Sequence, residues 1–123
     1  MDYITLNNGE QMPQLGFGVY QIPNEETAEA VYQAIKIGYR LIDTAISYGN
    51  EEGVGEGIKR AIADELVTRE ELFITTKLFV NNVINQETAS AAIDESLEAL
   101  CKGEYVIEKR KALAVMKDGK LST

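Results

Sequence analysis

Arg40-Leu-Ile-Asp-Thr-Ala-Ile-Ser-Tyr-Gly-Asn50 is the stretch of sequence that decides the fold. Its apolar pair, Leu41-Ile42, predicts a short buried strand. Asp43 stands at the end of that strand, where apolar residues give way to Thr, Ser, Gly and Asn, and Tyr48 follows in the loop. The sequence therefore places a carboxylate and a phenol at one end of a buried strand.

A second apolar run, Leu72-Phe73-Ile74, ends in the same way, because the polar residues Thr75-Thr76-Lys77 follow it. In open α/β sheets, ligands bind outside the carboxyl ends of parallel strands. If the two predicted strands are parallel neighbours, Asp43, Tyr48 and Lys77 converge above that edge of the sheet. These three residues are the candidate functional site.

The segments before this stretch predict a hairpin, a strand and a helix. Asn8-Gly9 is typical of a tight hairpin turn, here between strands at Tyr3–Leu6 and Gln11–Met12. A glycine-broken strand at 15–20 follows. Asn24 is predicted to cap a helix that runs from Glu25 to about Ile37.

The segments after it predict two further helices. Asn50 is expected to cap a helix from Glu51 to about Ile62, and a capping box at 68–71 indicates a single helical turn. A third helix is predicted from about Gln86 to Leu100. A hairpin followed by three β-α units is typical of an α/β fold with a parallel sheet and right-handed crossovers.

The segment 101–123 differs in character from the rest of the chain. A helix from about Glu104 to Lys117 is the preferred prediction. The alternatives are a strand at Tyr105–Ile107, or a strand at Ala112–Met116 that leads into a hairpin turn. We treat residues 1–123 as one domain with a divergent C-terminal tail.

Composition excludes several classes of function. The net charge of −8 argues against a nucleic-acid partner, which requires a basic face. With no histidine and a single cysteine, histidine triads and metal sites built from His or Cys are not expected. No apolar run approaches the ~20 residues of a membrane span, and no signal peptide is recognisable. The sequence therefore predicts a cytoplasmic protein without a membrane segment or metal.

Residues 1 to about 100 resemble the N-terminal part of an aldo-keto reductase. The motifs that carry the resemblance occur in family order and spacing: Gly16-Phe17-Gly18-Val19-Tyr20, Gly38-Tyr39-Arg40-Leu41-Ile42-Asp43-Thr44-Ala45, Tyr48-Gly49-Asn50-Glu51 and Phe73-Ile74-Thr75-Thr76-Lys77-Leu78. Several independent matches in register are far more specific than one glycine motif. The resemblance implies NADPH-dependent carbonyl reduction and a (β/α)8 barrel, of which this chain has a part.

The resemblance also implies roles for the candidate residues. Tyr48 would be the general acid that protonates the substrate oxygen. Lys77 would place a cation near the phenol and so stabilise the phenolate that remains after proton donation, and Asp43 would pair with Lys77.

By the same resemblance, Gly18 and Val19, together with Asp43, would contact the nicotinamide of NADPH. Tyr20 and Phe79, with Tyr48, would line the pocket for a small carbonyl compound. No metal is implied.

The chain also departs from the family pattern. A complete barrel of this class has ~250 residues, whereas three β-α units are present here. The family histidine that follows the fourth strand has no counterpart, and neither do the later loops that hold the phosphates of NADPH.

These departures lead to three hypotheses. The first is a truncated, catalytically incomplete scaffold or binding protein derived from an NADPH-dependent carbonyl reductase. The alternative is an active minimal oxidoreductase that reduces aldehydes or ketones through an oligomeric site. The third is the product of a truncated or rearranged reading frame without an evolved function. Because three strands cannot close a barrel, we expect self-association into a dimer or larger, with the tail covering the open sheet.

Overall fold

The structure is a computed structural model that describes residues 2–82 and 84–101. Its first element is a hairpin in which β1 (Tyr3–Thr5) pairs antiparallel with β2 (Gln11–Pro13). Gly9 adopts a φ of 89° in the connecting turn, so the glycine of the predicted Asn-Gly pair is required there. The predicted N-terminal hairpin is confirmed.

The central element is a parallel sheet of three strands. β3 (Gly16–Gly18), β4 (Leu41–Asp43) and β5 (Phe73–Thr75) lie side by side in that order. Their register aligns the final residues of the three strands, because Gly18 pairs with Asp43 and Asp43 pairs with Thr75. The predicted α/β fold with a partial barrel sheet is confirmed.

Three helices and three short turns complete the described fold. The helices are α1 (Asn24–Lys36), α2 (Glu51–Ala63) and α3 (Gln86–Leu100). Single turns of 3-10 helix lie at Ile46–Tyr48, Arg69–Glu71 and Val80–Asn82. The turn before β5 carries the predicted capping box, in which the Thr68 amide donates to Glu71 Oε1 at 2.9 Å.

The hydrophobic core lies between the sheet and the helices. Ile42 of β4 is fully buried there, and the residues paired with it in the neighbouring strands, Phe17 and Ile74, pack against the same cluster. Side chains alternate between the two faces of a strand, so Leu41 and Phe73 point away from this core. The helix-side members of the cluster include Val31, Ile35, Val54, Ile58 and Leu100.

The close contact between α1 and α2 depends on two glycines one helical turn apart. A Cβ atom on Gly53 would lie 2.7 Å from the Asn24 carbonyl oxygen, and one on Gly57 would lie 2.6 Å from the Ala28 carbonyl oxygen. Any side chain would force the helices apart. The glycines that weaken α2 as an isolated helix are therefore what allows it to pack.

The prediction that Asn24 and Asn50 cap α1 and α2 is wrong, because neither side chain makes a capping hydrogen bond. α1 begins at Asn24 itself with Pro23 in the cap position, and Asn24 Oδ1 accepts from the Gly53 amide of α2 at 3.0 Å. Asn50 does precede α2, but its side chain does not cap that helix. Both side chains instead bind other segments, which helical spacing alone does not reveal. The predicted tail helix and its strand alternatives lie outside the described residues.

Candidate active site

Asp43, the last residue of β4, uses both carboxylate oxygens. Lys77 Nζ lies 2.7 Å from Asp43 Oδ2, and the Thr75 hydroxyl donates to Asp43 Oδ1 at 2.5 Å. Lys77 Nζ also donates to the Thr44 carbonyl oxygen at 2.9 Å. The carboxyl ends of β4 and β5 are thus joined by a charged, hydrogen-bonded group.

Tyr48 lies beside this pair. The 3-10 turn that carries it is held to the segment after β5, because the Ile46 amide donates to the Lys77 carbonyl oxygen at 3.1 Å. Gly49 ends the turn with a φ of 70°. Lys77 Nζ then stands 5.2 Å from the centroid of the Tyr48 ring. The predicted convergence of Asp43, Tyr48 and Lys77 is what the structure shows.

Tyr20 forms an aromatic pair with Tyr48. Their ring centroids are 5.0 Å apart with an interplanar angle of 50°, and Tyr20 is 66% exposed. Tyr20 projects from a turn in which Gln21 has a φ of 66° and the Ile22 amide donates to the Val19 carbonyl at 3.1 Å. Phe79 is also exposed, in the segment between β5 and α3. Two large apolar surfaces therefore face solvent near the carboxyl edge of the sheet.

Asn50 fixes the turn that carries Tyr20. This fully buried side chain donates to the carbonyl oxygens of Val19 and Ile22 at 2.9 and 3.0 Å. Its Oδ1 accepts from the Thr44 hydroxyl at 3.1 Å. The two carbonyl contacts join the loops after β3 and β4, and the Thr44 contact lies within the loop after β4. Together they hold the turn that places Tyr20 beside Tyr48.

Gly18 and Val19 lie next to Asp43 but differ in exposure. Gly18 pairs with Asp43 in the sheet register, and a Cβ atom placed on it would meet no heavy atom within 4 Å. Val19 is fully buried in the core, and its amide donates to the Asp43 carbonyl oxygen at 3.3 Å. Open space for a ligand therefore lies over Gly18, whereas the Val19 side chain points into the protein.

The sequence profile of the Aldo/keto reductase family matches residues 12–106, which is more than half of the chain. The chain belongs to the aldo-keto reductase family.

Among its relatives in this family are several yeast enzymes. The chain is 53% identical over 97 residues to the NADPH-dependent D-xylose reductase of Candida boidinii, with 79% of this chain and 30% of that protein covered. It is 48% identical over 103 residues to the NAD(P)H-dependent D-xylose reductase of Candida tenuis, covering 84% of this chain and 31% of that protein. It thus spans about a third of the length of the curated relatives that it matches.

A solved aldo-keto reductase shares the fold. The crystal structure of a Bombyx mori aldo-keto reductase in complex with NADP superposes with a TM-score of 0.75 at 45% identity. The match covers 80% of this chain and 34% of that one.

One buried ionisable group of this aldo-keto reductase chain was not identified from the sequence. Glu51 is buried, and its Oε2 accepts from the hydroxyls of Thr76 at 2.5 Å and Ser96 at 2.6 Å. Burial raises the pKa of Glu51, the two hydroxyls counteract this, and the nearby charge of Glu95 adds to the rise. Sequence reasoning placed Glu51 at the start of α2 and in one of the family motifs, and predicted no contact for its side chain.

Residues 2–82 and 84–101 contain no group of three or more His, Cys, Asp or Glu side chains placed to hold a metal ion. None of the helices in these ranges is long and apolar enough to cross a membrane.

Proposed function

We propose that Asp43, Tyr48 and Lys77 form the proton-donating side of an NADPH-dependent carbonyl reductase site. The observation that carries this proposal is the position of Lys77 Nζ, 2.7 Å from Asp43 Oδ2 and 5.2 Å from the Tyr48 ring centroid. The relatives described as NADPH-dependent D-xylose reductases support it.

Each residue has one task in this proposal. Tyr48 donates its hydroxyl proton to the oxygen of the substrate carbonyl. The positive charge of Lys77 stabilises the phenolate that remains, and Asp43 holds Lys77 in place. Tyr20 and Phe79 offer apolar surface on which a small carbonyl compound can pack.

The residues present fit the nicotinamide end of the cofactor. A flat ring needs a place without side-chain atoms, and the space above Gly18, beside Asp43, meets that need. When bound, NADPH supplies the hydride that reduces the carbonyl carbon. Val19 is fully buried, so its side chain has no exposed surface to offer the ring.

By itself, the 123-residue chain is proposed to be a folded but catalytically incomplete scaffold. It has no histidine to orient the carbonyl beside Tyr48, and its net charge of −8 opposes the phosphate groups of NADPH. The proton-donating residues are retained, whereas the groups that would bind most of the cofactor are not found among the described residues.

A chimera tests this proposal. The matched N-terminal segment of the Candida boidinii D-xylose reductase is replaced by the corresponding residues of this chain, and NADPH oxidation is measured with D-xylose. We expect activity in the chimera, loss of about a hundredfold or more with Tyr48→Phe, and no turnover by the unfused chain. Tyr32→Phe is the matched control, since its hydroxyl binds Asp64 on the helical side at 2.6 Å.

Two results would count against the proposal. A folded chimera that binds NADPH and is equally active with Tyr48→Phe would remove Tyr48 from the reaction. Turnover by the unfused chain would favour the minimal oxidoreductase over the incomplete scaffold.

A further inference from the structure

Thr75 contacts the carboxylate that the proposed mechanism uses, and it stands in one of the family motifs without a role in the proposed function. Its hydroxyl donates to Asp43 Oδ1 at 2.5 Å, while Lys77 Nζ binds Oδ2 at 2.7 Å. We propose that Thr75 is a positioning residue, whose hydroxyl orients the Asp43 carboxylate so that Oδ2 faces Lys77. This inference rests on the proposed function of Asp43 and Lys77.

The register of the sheet makes this contact possible. Asp43 and Thr75 are partners across the parallel pair β4–β5, so both side chains project from the same face. Thr75 is β-branched, which restricts rotation about its first side-chain bond and suits a strand. Its hydroxyl is therefore held in place by the strand, while Lys77 leaves the sheet two residues further along.

The ion pair needs such support because it is open to water. The Lys77 and Asp43 side chains are 49% and 41% exposed, and exposed pairs of flexible side chains contribute little by themselves. Lys77 has a second fixed acceptor in the carbonyl of the buried Thr44, at 2.9 Å. With Thr75 in place, the ammonium group binds two fixed acceptors and stays beside the Tyr48 ring.

A purely structural role for Thr75 makes a different prediction. If the hydroxyl only satisfied a polar atom, its loss would lower the stability of the whole fold without a specific change at Lys77. If it orients Asp43, its loss releases Lys77 in a chain that remains folded. The accessibility of the Lys77 amine distinguishes the two roles.

Competitive acylation of the complete 123-residue chain measures that accessibility. The rate at Lys77 is read by mass spectrometry against Lys36 on α1 and Lys59 on α2, which lie on the helices away from the pair. We expect Thr75→Val to raise the relative rate at Lys77 about threefold, and Thr75→Ser to restore it. Thr75→Ala removes the same hydroxyl with a smaller side chain and should give the same result. Circular dichroism checks that each variant is folded.

Asp43→Asn completes a double-mutant cycle. It should raise the Lys77 rate as well, and Thr75→Val should then add nothing, because the hydroxyl acts only through the carboxylate. An unchanged Lys77 rate in both folded Thr75 variants, or a rise shared by Lys36 and Lys59, would overturn the proposal. So would an Asp43→Asn variant that leaves Lys77 unchanged.

This experiment is independent of the proposed function, since it needs neither NADPH nor a carbonyl compound. An inactive chimera together with released Lys77 in Thr75→Val would reject the reductase role and keep the positioning role. An active chimera together with unchanged Lys77 would reject only the positioning role.

Discussion

Asn50 Nδ2 donates a 2.9 Å hydrogen bond to the carbonyl oxygen of Val19, although the two residues are 31 positions apart in the chain. This contact joins the start of α2 to the turn that carries Tyr20. It is made by a side chain with no exposed surface, together with bonds to Ile22 and Thr44. One buried amide group therefore links the loop after β3 to the start of α2.

Replacement of Asn50 should destabilise the whole fold. Asn50→Ala leaves the Val19 and Ile22 carbonyls without this donor and creates a small cavity, so we expect a loss of about 2–4 kcal/mol in the free energy of unfolding. Urea denaturation followed by circular dichroism measures it. Asn7→Ala in the exposed hairpin turn is the matched control, and equal midpoints for the two variants would show that the Asn50 network is dispensable.

The buried Glu51 should make stability depend on pH. Its pKa is raised in the folded state by burial, so the folded chain binds a proton more tightly than the unfolded chain. The resulting contribution of Glu51 to the free energy of unfolding is present at low pH and is lost as the pH rises through the folded pKa. Each unit of such a shift corresponds to about 1.4 kcal/mol.

Glu51→Gln should remove this dependence. We expect the melting temperature of the variant, relative to the unsubstituted chain, to increase as the pH is raised from about 4 to about 7. Glu56→Gln, on the exposed side of the same helix, is the control. A difference that is constant with pH would mean that Glu51 titrates alike in the folded and unfolded chain.

Much of the fold could be predicted from the sequence because it depends on local patterns. The third helix was predicted at Gln86–Leu100 and is observed there, and the first two helices differ by about one residue at their ends. The change from apolar to polar residues indicates where the strands end. This pattern is what allowed the proximity of Asp43 and Lys77 to be predicted.

The remaining features depend on contacts between distant segments. Asn24 and Asn50 look like helix caps, but each binds a backbone group about thirty residues away, which sequence spacing cannot indicate. By its position in the sequence, Glu51 is simply a residue of the first turn of α2. Its burial depends on α3, whose Ser96 hydroxyl donates to it. Gln21 occupies a left-handed conformation that favours glycine, and a glutamine side chain gives no indication of this conformation.

Gly57 should not tolerate a methyl group. Alanine favours helices by about 1 kcal/mol, but its Cβ would lie 2.6 Å from the Ala28 carbonyl oxygen and 2.8 Å from the Val31 Cβ. We expect the cost of separating α1 and α2 to exceed this gain. Gly57→Ala should therefore lower the free energy of unfolding, measured by urea denaturation, by about 1–3 kcal/mol. Glu56→Ala, one residue earlier on the exposed side, should stay near neutral. A stabilised Gly57→Ala variant would contradict the close packing.

Self-association remains a proposal that the solution mass can test. The strands β3 and β5 each pair on one side within the described residues, and Leu41 and Phe73 point away from the helix-covered core. We expect a dimer or larger in light scattering at micromolar concentration. A monodisperse particle of 13.6 kDa would show that a single chain covers this surface.

The central claim is that Asp43, Tyr48 and Lys77 act as one proton-donating unit, and the rate of NADPH oxidation by the chimera with Lys77→Met tests it most directly. Lys77 is half-exposed and outside the core, so this variant should fold with an unchanged melting temperature. The account predicts a loss of about a hundredfold or more, while Lys59→Met on α2 keeps full activity. A folded Lys77→Met chimera whose rate stays within about threefold of the unsubstituted chimera would contradict it.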